Sequence, residues 1–151
     1  MRAWELSEAR NATMQYFVKE FPNVPRYVVQ DFMYKNYKDD PKGMDYEFGL
    51  WLNDLKWTQE KLFITLDFFD KETQDLLKPR IEGKRLQFIQ NDEERHKKQA
   101  DIIKKQGISE EPIIITKTEG EYELQEGWHR VIQALILWPE GYEQTAWVGE
   151  E

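Results

Sequence analysis

Among the residues able to do chemistry, those with the most useful spacing fall in Gly127-Trp128-His129-Arg130, after a strand-like run and before a helix-like one. Glycine at such a joint lets a strand turn sharply into a helix where a side chain would be in the way. The first turn of the helix then carries unpaired backbone N–H groups and the positive end of its dipole, which favour an anion. With an arginine and a histidine added, a phosphate site is chemically sensible. The structural alternative stands beside it: Arg130 could hold an ordinary ion pair, and Gly127 with Trp128 could serve packing alone.

Other constellations say less. Glu93-x-x-His96 and Glu126-x-x-His129 repeat the spacing that sets two ligands on one helix face in carboxylate-bridged metal sites. Those sites need a four-helix frame and further glutamates, and Gly127 interrupts the second copy, so the expectation is no metal. Two histidines leave little room for other transition-metal sets, and the absence of cysteine excludes disulfides and thiolate chemistry. Arg95, Lys97, Lys98, Lys104 and Lys105 form the strongest basic cluster, a candidate contact for DNA or polyphosphate. Lys97 and Asp101 one turn apart, in a chain of net charge -8, favour a solvated helix face instead. The phosphate-loop, dinucleotide and nucleophile-elbow motifs are absent.

The elements that must position these residues follow from periodicity. Pro112 to Lys117 is a β-branched run, Thr118 to Gly120 supply a turn, and Tyr122 and Leu124 alternate with polar neighbours: a β-hairpin. From Val131 the apolar positions Ala134, Leu135 and Trp138 recur at helical steps. Pro139 to Gly141 break the chain before a last strand over 142–148. Upstream, the spacing predicts a helix from Glu8 to Phe21 capped by Ser7, a second from Pro25 to the turn-rich 38–43, and a third over 45–56, where strand and helix periods compete. A strand is expected over 61–66, a short helix capped by Asp67 or Asp70 through Leu77, a connecting segment over 78–92 and a helix from Glu93 to Gln106 ended by Gly107.

The ordered set of residues 100–115 (helix, Gly107, short loop, Pro112-Ile113), the Tyr122-x-Leu124 strand and the Gly-x-His-Arg box resembles the ParB/sulfiredoxin-like superfamily, which includes ParB-like nuclease domains. The resemblance covers the last third to half of the chain. It implies an α+β domain with a small mixed sheet over 57–151, preceded by a helical N-terminal extension over 1–56 packed on the core. Trp128 departs from the pattern: sulfiredoxins have their reactive Cys there and ParB proteins commonly an acid, so sulfinic acid reduction is excluded. The spelling is nearer to the Gly-His-His-Arg box of relatives that phosphorylate free serine. By that resemblance Gly127, Trp128, His129 and Arg130 would bind phosphate, His129 would donate a bond or take a proton, and Glu126 would act as a base or hold Mg²⁺ brought with a nucleotide such as ATP or CTP.

Composition sets outer bounds. One hundred and fifty-one residues, 40% hydrophobic and 33% charged, suit one domain with an appendage. The amino terminus lacks an apolar signal core and no apolar run approaches bilayer length, so a cytoplasmic protein with no membrane partner is the expectation. Nucleotide or phosphate-ligand binding with NTP-dependent phosphoryl transfer or hydrolysis is the leading expectation. A DNA-associated ParB-like protein and a non-enzymatic module using the 14% aromatic content as a partner surface are the alternatives.

Overall fold

The computed structural model describes residues 13–41, 43–84, 91–107 and 110–151; the Ser7 cap and the residues expected to begin the first helix lie outside them. The described residues form six helices and a four-stranded mixed sheet, an α+β fold. Their contacts divide into two compact units, residues up to Thr58 with Val148–Glu151, and Gln59–Trp147.

In the first unit, α1 (Met14–Glu20) starts where the Thr13 side chain accepts from the Tyr16 N–H, and stops at Phe21 before Pro22. Helix α2 is α-helical over Arg26–Val28, widens to a π-helix over Val29–Tyr34 and closes again over Lys35–Asp39. The wider turn keeps Val28, Val29, Phe32 and Met33 all buried, and the Asn36 side-chain amide donates to the Phe32 carbonyl at 2.7 Å. The ambiguous third segment is a helix, α3 (Tyr46–Asp54), capped by Asp45. Gly49 is required there, since a Cβ would lie 2.4 Å from the ring of Phe21.

Strand β1 spans Lys56–Ile64 and so begins earlier than expected. After a single 3₁₀ turn at Leu66–Phe68, Asp70 caps α4 (Lys71–Ile81), accepting from the Thr73 N–H. Here the sequence expectation is corrected: residues 78–81, at the start of a segment whose proline, glycine and charges predict a connector, are helical. Burial explains the persistence. Thr73, Leu77 and Arg80 fall on one inward face, and stopping at Leu77 would lose the last of them. Helix α5 (Asp92–Gln106) ends at Gly107, as expected, and β2 (Ile113–Thr118) and β3 (Glu121–Glu126) form the antiparallel hairpin. Its two-residue turn, Glu119-Gly120, has φ of 53° and 81°, the doubly left-handed geometry that matches strand twist. Helix α6 (Trp128–Leu137) and β4 (Tyr142–Glu150) complete the chain in the sheet order β1-β4-β2-β3. Strand β2 is interior, which is why Ile113, Ile114, Ile115 and Thr116 are buried in succession rather than alternately. Helix α6 packs against both α4 and α5 and buries five consecutive residues, Val131 to Leu135.

Glu123 on β3 carries a testable electrostatic load. Its carboxyl pKa is raised, first by partial burial and then by the negative charges of Asp70 and Glu72. A folded-state pKa above the unfolded one favours the acid form in the fold, so stability is greatest below the unfolded pKa and falls as pH rises through the folded value. Glu123→Gln is therefore expected to melt higher than wild type at pH 7, with the gap closing toward pH 4 in paired thermal melts.

Candidate functional site

Five side chains from three helices of the second unit meet at one point. The α4 face that buries Thr73 and Leu77 brings Arg80, in the last turn, to the same side one helical repeat later. Asn91 takes the left-handed conformation that asparagine tolerates (φ 57°) and turns the chain into α5, whose first residue is Asp92. His96 follows one turn on, above Asp92. On α6, His129 in the first turn and Gln133 one turn later repeat that spacing, so two facing helices each present a pair of polar side chains.

The contacts are close and largely buried. The Asp92 Oδ1 lies 2.7 Å from His129 Nε2, 2.9 Å from Arg80 Nη2 and 3.3 Å from His96 Nε2. Arg80 Nη2 is also 3.3 Å from His129 Nε2 and 3.4 Å from His96 Nε2. Gln133 Nε2 lies 3.0 Å from His96 Nδ1, and the two imidazoles meet edge to face with centroids 4.6 Å apart. Arg80, Asp92, His96 and Gln133 are buried, while His129 is half-buried at the edge of the cluster. Desolvation is the largest influence on His129 and lowers its pKa; Asp92 opposes this, and the charges of Arg95 and Arg80 reinforce it. The balance favours the neutral ring. Because a carboxylate only accepts, His129 Nε2 carries the hydrogen, leaving Nδ1 as the basic nitrogen with no hydrogen-bond partner among the described residues. Such a dyad can move a proton.

The sequence-predicted residues are distributed otherwise than expected. Gly127 caps α6 at φ 103°, where a Cβ would come within 2.6 Å of Ile113 Cγ2, so both conformation and space demand glycine. The register of the hairpin skips Gln125 between Ile114↔Glu126 and Ile115↔Leu124, a bulge that re-aims the chain just before this turn. Trp128 opens the helix, half-buried. The Glu126 carboxylate receives the Gly127 N–H at 3.4 Å. Arg130 does not join His129. Its Nη1 donates to the Glu111 carbonyl at 3.0 Å and the Pro112 carbonyl at 3.4 Å, and its Nη2 pairs with Glu111 Oε2 at 3.1 Å, which clamps the chain leading into β2. Gln144 of β4 donates to the same Glu111 carbonyl. Arg95, Lys97, Lys98 and Lys105 are exposed on α5, with Glu94 and Asp101 set among them, and Lys104 is exposed on the same helix.

Asp92 escaped the sequence expectation, as did the joining of the two histidines; Arg80, which by sequence lies only a little upstream of the basic cluster, is instead the buried partner of Asp92. A faint signal existed in the four-residue step from Asp92 to His96, and in Arg80 continuing the Thr73 and Leu77 face. Protein-family models, curated proteins and solved structures provide no match to this chain.

Two stability tests follow. Removing one partner of a buried ion pair leaves a lone charge in a dry site, so Arg80→Met is expected to cost about 3–5 kcal/mol in urea unfolding. Gly127→Ala, strained and crowded at once, is expected to cost about 3 kcal/mol by the same measurement.

Proposed function

We propose that the chain is a phosphate-ligand-binding protein of the ParB/sulfiredoxin-like type that takes a nucleotide at the start of α6 and carries out phosphoryl transfer or NTP hydrolysis. The observation that carries this is the 2.7 Å hydrogen bond that His129, in the first turn of that helix and directly behind the left-handed Gly127, donates to Asp92. A neutral imidazole held by a buried carboxylate is a proton-transfer group, and its place in the first turn of a helix, where the dipole's positive end lies, suits a substrate with phosphate oxygens. The order helix, hairpin, glycine and helix is the motif order on which the resemblance in residues 100–130 rests. Positive charge near His129 comes from Arg80 and Arg95. Arg130 reaches a ligand by releasing Glu111, and Glu126, next to the helix start, is the carboxylate for the Mg²⁺ of ATP or CTP.

A nucleoside triphosphate panel with and without Mg²⁺, read by thermal shift, tests this. Ligand at one hundred times its Kd stabilises by about 2.7 kcal/mol, a shift of several degrees for a chain of this size. The shift is expected to shrink in His129→Gln and Arg130→Ala and to grow in Glu111→Gln. No shift with any nucleotide ends the proposal and leaves the interaction module, for which the exposed Phe63, Ile136, Leu137 and Trp138 would serve.

A further inference from the structure

We propose that Asp92, His96 and His129 form a binding site for a divalent transition-metal ion of the zinc class, which takes the place held by the Arg80 guanidinium. The proposal goes beyond the nucleotide reading and does not depend on it. One ligand atom from each residue lies within 4.8 Å of the others, and the three come from two facing helices, with Asp92 and His96 one turn apart on α5 and His129 across from them on α6. Donors bound to zinc at about 2.0–2.1 Å in a tetrahedron sit about 3.3 Å from one another. Asp92 Oδ1 and His96 Nε2 are already 3.3 Å apart, and Asp92 Oδ1 and His129 Nε2, at 2.7 Å, need to part by roughly half an ångström.

What occupies the focus of these donors is itself a cation. Arg80 Nη2 stands 2.9, 3.4 and 3.3 Å from Asp92, His96 and His129. With the hydrogens of His96 and His129 moved from Nε2 to Nδ1, all three atoms would present lone pairs to that point, as a metal ion requires. Imidazole nitrogen with one carboxylate oxygen is the donor set zinc and its neighbours prefer, and three protein ligands leave a fourth position for water, the pattern of catalytic rather than structural zinc. The outer contacts also fit. Gln133, whose amide can be turned to accept, meets His96 Nδ1 at 3.0 Å, the interaction that fixes a metal-binding histidine with Nε2 as its donor atom. Arginine is long and hinged at four side-chain bonds, so the guanidinium can withdraw while the α4 backbone stays in place. Its withdrawal breaks the pair with Asp92, which makes binding weaker than in a site built only for metal. With a metal on Nε2, His129 Nδ1 would carry the hydrogen, and the ion would supply Lewis acidity at its open position.

The test uses the untagged full chain and the metal alone. Co²⁺ titration of wild type, followed by visible absorption, is expected to give the intense bands of a tetrahedral nitrogen and oxygen site at one equivalent, with Zn²⁺ abolishing them by competition. His129→Gln, altered at the edge of the cluster, is expected to bind at least tenfold more weakly while keeping its far-ultraviolet circular dichroism. Arg80→Gln, which removes the competing cation, is expected to bind at least tenfold more tightly. Absence of the bands in wild type at millimolar Co²⁺, or equal affinity in wild type and folded His129→Gln, overturns the site. Equal affinity in wild type and folded Arg80→Gln overturns the exchange with arginine. Should Arg80→Gln fail to fold, the wild-type and His129→Gln titrations decide the matter.

Discussion

The second unit is organised by one electrostatic demand, that the charges of Arg80 and Asp92 leave water together. Each is 4% exposed, and an ion so buried costs several kcal/mol unless it is paired and its remaining valences are filled. The pair satisfies that demand only if the last turn of α4 and the first turn of α5 meet, and the surplus accepting capacity of the carboxylate is met by His129 at the start of α6. Three helix ends are thereby placed by one carboxylate oxygen. The neutrality of His129 has the same origin: burial and two neighbouring arginines outweigh the pull of Asp92.

Two arginines share the work differently from what their positions in the chain suggest. Arg130, beside the glycine and in the first turn of α6, is occupied with main-chain carbonyls and the Glu111 carboxylate, where it holds the entry to β2 in place. Arg80, forty-nine residues from His129 in sequence, is the cation in contact with that histidine. The phosphate proposal and the metal proposal therefore draw on different faces of one residue. The first concerns His129 Nδ1 and the helix N–H groups, the second Nε2 and the space Arg80 fills. A metal on Nε2 would put the hydrogen on Nδ1, so the two states of His129 exclude each other.

Much of the fold is legible along the chain because it depends on near neighbours. The Glu119-Gly120 turn, the change from alternating to helical period after Gly127 and the caps at Asp70 and Gly107 are local choices of backbone conformation. They appear in sequence because propensity and burial agree there. The helical residues 78–81 did not, because Pro79 signals a break whose cost is met by burying Arg80, a gain visible only when its partner is known. The candidate site divides along the same line. Gly127 and His129 announce themselves by type and position, while Asp92 and Arg80 are two among 29 acids and 21 bases.

By itself the sequence determined the α+β composition, the hairpin leading through a glycine into a helix, and the presence of a histidine and an arginine in that helix's first turn. Only the tertiary structure decided that the arginine there binds backbone and a surface carboxylate, and that both histidines converge on Asp92. The reason is physical. Periodicity reports which face of an element is buried, but burial of charge is settled by which opposite charge or lone pair arrives from elsewhere in the chain, and that is a property of packing distance rather than of spacing in sequence.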